Sequence, residues 1–299
     1  MKLPFFGKVT SQKLDIPKKI RVSLYVAAEQ FDYEFERPSI DNKLLKATTA
    51  HSFDKKLRSH FLQTKTSSLL SFELEPAAAI IKQLETFLQF LKVDPAVEDI
   101  FLQSQYIVEV TAVQDMSELA TPVTALELVG FAAALLAADT KGIVIEPYSL
   151  KILSQPEDLL PLHQLQPGLP ALAPFLTIVQ SQNDIQVRTT SHGLTRIGLP
   201  EIEIKFTDFD LAPAVATFTA ALAQSIFEDV VRFKSESPDQ DQYDFSATAI
   251  TVSTESGSAA VPLKLSRGSL DLNINLALHG RHTDKNAALA EILKSLNLL

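Results

Sequence analysis

The chain has 299 residues, of which 46% are apolar and 21% charged, and a formal net charge of −9. This composition supports a packed core and excludes a largely disordered chain. The acidic balance argues against nucleic acid, whose phosphates require a basic surface. Without cysteine there are no disulfides, thiolate nucleophiles or thiolate metal ligands, which fits a cytoplasmic protein.

The charge is uneven. Residues 1–75 hold 13 Lys or Arg against 9 Asp or Glu, and the rest hold 14 against 27. A basic front and an acidic body attract each other, either within one chain or between copies. The opening "MKLPFFGKVTSQKLD" is interrupted by Pro4, Gly7 and Lys8 and does not read as a signal peptide. "IRVSLYVA" (20–27) alternates as a strand does. Residues 29–65 are polar, charged and poorly periodic, which suits an insertion or a partner-binding arm. "SLLSFELE" (68–75) is the next strand.

Pro76 suits the first turn of a helix. Ile80, Ile81, Leu84, Phe87, Leu88 and Leu91 then recur at helical spacing on one face. "YIVEVTAV" (106–113) is a strand. Thr121 and Pro122 resemble an N-cap and first helical position, opening a nearly apolar helix that runs to about Ala138 and stops before Gly142. At this length it falls short of a bilayer span and reads as a buried core helix. No membrane association is expected. "GIVIEPY" follows as a short apolar strand.

Five prolines, from Pro156 to Pro174, rule out an uninterrupted helix. The segment 161–180 is therefore read as a crossing between an N-terminal lobe (1–160) and a C-terminal lobe (181–299). The second lobe opens with the strand "DIQVRTT". Asp210 is placed to cap a helix from Leu211 to about Glu228, with a buried stripe of Val215, Phe218, Leu222 and Ile226. "YDFSATAITV" and "AAVPLKLS" flank a turn as a hairpin does. "LDLNINLALH" alternates as a strand, and a helix from Lys285 to about Leu296 closes the chain. The fold expected is α+β, with two similar-sized lobes that each set a mainly antiparallel or mixed sheet against one long helix. No residue-level repeat relates the two.

"SHGLTRIGLPEIEIKF" (191–206) is the most distinctive stretch. Gly193 and Gly198 permit backbone angles that other residues resist, and Pro200 extends Leu199. Leu194, Ile197 and Leu199 are expected to pin the loop to the core. Ile202, Ile204 and Phe206 then point inward, while Glu201, Glu203 and Lys205 point outward. A site here would use His192 as a base and Arg196 as an anion clamp, with Glu201 or Glu203 orienting the imidazole.

Together with the apolar helix and "GIVIEPYSLKIL", this stretch resembles a bacterial domain family of unknown function. The matching positions are Gly193, Leu194, Gly198, Pro200, Glu201 and Glu203, within a likeness covering roughly residues 100–230. The resemblance implies no catalytic role.

Other polar groups are less specific. Asp271, Asn273, Asn275 and His279 line one face of a strand and form a candidate ligand strip, or its ordinary wet side. His279 and His282 lack a zinc-site motif, so no metal is expected. "DQDQYD" lacks the glycine and the terminal glutamate of a calcium loop. No cofactor cradle or nucleophile elbow occurs. The expectation is a non-catalytic protein that binds a protein partner or itself. The alternatives are a hydrolase or transferase built on His192, Arg196 and Glu203, or a small-ligand sensor with a pocket between lobes.

Overall fold

The computed structural model describes residues 13–29, 70–82, 95–118, 125–149, 151–153, 172–245, 249–266, 269–272 and 284–299. The fold is α+β, as the element pattern implied. It divides into two compact units. One comprises the described parts of Met1–Pro17, Ile178–Ser191 and Leu199–Leu299. The other comprises those of Lys18–Thr177 and His192–Gly198.

The larger unit holds an antiparallel sheet of β2 (Lys19–Ala27), β3 (Leu70–Pro76), β4 (Tyr106–Asp115), β5 (Ile143–Glu146) and β6 (Lys151–Leu153). Its order is β3-β4-β2-β5-β6. On one face Val22, Leu24, Val26, Val108, Val110 and Val144 are buried at 0% exposure. Helix α2 (Ala125–Thr140) packs against β2, β4 and β5, and nearly all of it is buried. Its alanines remove side-chain bulk and let the helix approach closely. Helix α1 (Pro95–Gln103) contributes Phe101 to a second cluster with Ala27, Ile107, Ile143 and Ile145. On the same face as Ala27 and Ile107, Ser23 and Thr111 share a buried hydroxyl hydrogen bond of 2.9 Å.

The other unit contains β1 (Lys13–Asp15), β7 (Thr177–Gln182), β8 (Val187–His192), β9 (Ile202–Thr207) and helix α3 (Ala212–Glu236). After them come β10 (Gln242–Asp244), β11 (Ile250–Ser253), β12 (Ser258–Val261), β13 (Leu263–Ser266), β14 (Ser269–Leu272) and helix α4 (Lys285–Ser295). Its main sheet runs β13-β14-β9-β8-β7 and is mixed, because β14 lies parallel to β9. Helix α3 packs on β9 and β11. Val215, Phe218, Leu222, Ile226, Phe227, Val230 and Val231 form its fully buried stripe.

Several local expectations are corrected. Pro76 ends β3 and pairs in register with Tyr106, so it does not open a helix. The backbone turns helical only after it, and residues 83–94 of the expected helix lie outside the described residues. Thr121 and Pro122 lie there too. The described start of α2 is tied down by Gln114, whose Oε1 accepts the Ala125 amide at 2.6 Å.

Asp210 caps nothing. It sits in a 3-10 turn (Phe209–Leu211), and Leu211 occupies the cap position of α3 without a side-chain bond. Helix α3 also continues to Glu236, since the apolar spacing carries on through Val230 and Val231 to Lys234. Of the expected hairpin, only β11 and β12 pair with each other. β13 turns instead to β14, and β10 to β1. β7 spans the expected lobe boundary at 180/181. Residues 154–171, with most of the prolines, lie outside the described residues. Past them, Leu172, Phe175 and Leu176 are buried. Residues 29–65 are likewise not described beyond Glu29.

By length and composition Phe209–Glu236 is apolar enough to cross a membrane, although half of its most apolar 18-residue window is buried inside the structure.

Candidate functional site

The loop from His192 to Gly198 joins β8 to β9 and is grouped with the larger unit. After Gly193 it folds into a 3-10 turn, Leu194–Ile197, closed by Gly198 in the left-handed conformation at φ 76°. The Gly198 amide donates to the Thr195 carbonyl at 3.1 Å. Gly193 sits at φ 122°, and a β-carbon there would overlap the Phe175 carbonyl oxygen and press on Ser149. Only glycine meets both demands. Leu194, Ile197 and Leu199 are buried, as expected for the residues that pin the loop.

Arg196 lies between these apolar anchors, and its side chain is fully shielded from solvent. It makes an ion pair with Glu146, the last residue of β5, whose side chain is equally shielded. The Glu146 carboxylate also accepts the Tyr148 amide at 3.1 Å and the Ser149 amide. The guanidinium carbon stands 4.9 Å from the Phe175 ring centroid and 5.5 Å from that of Tyr148. Such placement over aromatic rings adds cation–π attraction, which is strongest where water is excluded. The carboxylate thus has two backbone donors and an ion-pair partner, and the guanidinium has a carboxylate and two ring faces, which offset part of the cost of burying both charges. At the edge of this cluster Lys151 donates to the Ala173 carbonyl at 2.7 Å. Its burial holds the ammonium below the ordinary lysine range.

In the other unit, Glu203 on β9 is paired with Arg188 on β8 and with Lys205, whose Nζ lies 2.7 Å away. Burial pushes this carboxylate up. The Lys205 hydrogen bond and the charges of Arg188 and Lys205 outweigh it and hold it below the usual carboxylate range. Glu203 shares the face of Lys205, opposite buried Ile202 and Ile204, yet is itself buried at 7% exposure, because the Arg188 and Lys205 side chains pair over it. Ser191 donates to Glu201 at 2.7 Å and accepts the Ile202 amide at 2.8 Å, closing the neck between β8 and β9.

Thus Arg196 takes Glu146 as its carboxylate, while Glu203 takes Arg188 and Lys205. Glu201 engages Ser191. His192 is half-buried at the end of β8. Asp271 lies on β14, in register with Glu203 on one side and Lys264 on the other. Asn273, Asn275 and His279 lie outside the described residues, and so does His282. Among the described residues no group of three His, Asp or Glu is arranged to hold a metal ion.

Glu146 is the residue the sequence reading passed over. Its signal was present: a single carboxylate inside "GIVIEPY", an otherwise apolar strand, has to find a buried cation. Lys234 is a parallel case. It occupies the apolar stripe of α3 at 2% exposure. Its ammonium donates to the carbonyls of Pro238 (2.7 Å) and Gln240 (2.9 Å) and to Asp241 (2.8 Å). One satisfied cation therefore ends the helix and fixes the turn that follows it.

No family model, no curated protein and no solved structure matches the chain.

Proposed function

We propose that this chain is a non-catalytic binding or assembly protein whose partner is another protein or a second copy of itself. The observation that carries this reading is the fate of Arg196. The one arginine in the distinctive loop is withdrawn from solvent and committed to Glu146, Tyr148 and Phe175. A residue used that way shapes a loop and does not clamp an anionic substrate. Glu203, the third member of the catalytic alternative, is committed to Arg188 and Lys205. The hydrolase or transferase reading requires His192, Arg196 and Glu203 to act together on one substrate, and the partners of two of them speak for a structural use. The uneven charge along the chain gives a binding protein a means of orienting its partner.

Native mass spectrometry of the full chain, purified gently from its own host, tests the proposal. A second copy or a co-purified protein is expected on the folded species. A retained small molecule of defined mass, lost on His192→Ala while folding is unchanged, would overturn the proposal in favour of a ligand site.

A further inference from the structure

We propose that β1 is a strap that opens and closes on its own, and that Lys234 is its latch. The Lys234 ammonium holds the turn on which the strap closes.

β1 and β10 make a two-stranded sheet of three residue pairs, Lys13 with Asp244, Leu14 with Tyr243 and Asp15 with Gln242. A ladder this short is marginal in water without support. The support is the end of α3 and the turn that follows it. The Ser237 amide donates to the Phe233 carbonyl at 2.9 Å, and the Gln240 amide to the Ser237 carbonyl at 3.0 Å. Lys234 reaches into this turn with 2% of its surface exposed. Its three N–H donors meet three acceptors: the Pro238 carbonyl at 2.7 Å, the Gln240 carbonyl at 2.9 Å and the Asp241 carboxylate at 2.8 Å.

The strap is fastened to the same residues. Asp241 gives its side chain to Lys234 and its carbonyl to the Ile16 amide, which lies 2.7 Å away. The next residue, Gln242, donates from its side chain to Asp15 at 2.9 Å. Ile16 is itself buried at 3% exposure, and Pro17 behind it favours an extended backbone there. Further along, β10 has a separate hold. Tyr243 donates to Asp229 on α3 and packs edge-on against Phe233 and Phe245. Lys234 thus shapes one end of the seat, and Tyr243 fixes the other.

Removing the ammonium takes the shared donor from two carbonyls and a carboxylate. The turn 237–241 then loosens, and with it the Ile16 end of the strap, while Tyr243 keeps β10 on α3. Opening the strap breaks three residue pairs and uncovers one isoleucine, far less than unfolding the core, so it is a local event. The open strap bares the backbone edge of β10 that the closed one covers.

The test is amide hydrogen exchange of the full chain, read by NMR at several low urea concentrations. In the wild type the Ile16 amide is expected to exchange faster than those of Ile226 and Phe227 in α3. Its rate is expected not to depend on urea, the mark of an opening that exposes little surface. Lys234→Met keeps the apolar stem and is expected to speed Ile16 exchange about tenfold or more, with far less effect on Ile226 and Phe227. Asp241→Ala removes one of the three acceptors at a half-exposed side chain. It is expected to move Ile16 in the same direction by less, and it decides the matter if Lys234→Met does not fold.

Wild-type Ile16 exchange that follows α3 in its urea dependence overturns the strap. Ile16 exchange that is unchanged in the variants, or raised by the same factor as at Ile226 and Phe227, overturns the latch.

Discussion

Arg196 and Glu146 are charged groups that solvent does not reach, and each is held by the other and by neighbouring amides or rings. Removing one partner leaves the other charge buried without compensation, at a cost of about 3–5 kcal/mol. Arg196→Met is therefore expected to lower the unfolding free energy by about that amount, read from urea titration. In a Glu146→Gln background the same change is expected to cost less, by about 1 kcal/mol or more, since no carboxylate remains to be stranded. Additive single effects would show that the pair is not coupled. Gly193→Ala is expected to destabilise by about 2–3 kcal/mol, because it combines a positive φ with overlap on a carbonyl oxygen. Glu203 adds a pH dependence. Its folded pKa is depressed, so its stabilisation is present above the ordinary carboxylate pKa and is lost as pH falls through the depressed one. Glu203→Gln is expected to lose less stability than the wild type between neutral and acid pH, as measured by unfolding midpoints.

Helix α2 illustrates how an element's end is decided at the scale of a turn. The expected stop before Gly142 is correct, but the left-handed residue is Lys141, at φ 53°. The Gly142 amide reaches back to the Ala137 carbonyl at 2.8 Å, which is a Schellman closure. Gly142 is needed for a different reason: a β-carbon there would collide with the Ala27 carbonyl oxygen on β2. Opposite outcomes are thus expected at neighbouring residues. Lys141→Gly should raise the unfolding free energy by about 0.5–1 kcal/mol by relieving the left-handed cost. Gly142→Ala should lower it by about 1–3 kcal/mol through the clash. Thermal unfolding of the two variants checks the signs. The helix was legible because apolar residues and a glycine stop leave a local trace. Which residue turns left-handed depends on the space that β2 leaves, and that space is absent from the local sequence.

Across the whole molecule, the chain does not simply finish one unit before beginning the next. β1 pairs with β10, matching Lys13 with Asp244, Leu14 with Tyr243 and Asp15 with Gln242. The segment before Pro17 therefore belongs with residues more than two hundred positions away. Tyr243 in turn donates to Asp229 on α3 and meets Phe233 and Phe245 edge-on at 5.3 and 4.8 Å. Leu14→Pro is expected to remove amide-exchange protection at Gln242–Asp244 while leaving β4 protected. Loss of protection in both places would mean the two units unfold as one. The units also differ in topology. One sheet pairs its strands antiparallel throughout, and the other includes the parallel pair β9–β14. That difference speaks against a simple duplication, for which the sequence offered no repeat.

By itself the sequence determined the α+β class, several of the strands and helices, and part of their buried faces. Alternation at 20–27 and 106–113, and the stripe Val215, Phe218, Leu222 and Ile226, are local periodicities set by backbone geometry. It also marked 191–206 as a glycine-shaped loop with three apolar pins. Only the tertiary structure decided what the loop's charges do. Arg196 and Glu146 are 50 positions apart, and Glu203 meets Arg188 only once β8 and β9 are side by side. A charge's role follows from the dielectric around it and the partner brought within reach. Both are products of the folded chain and leave no periodic mark in the sequence.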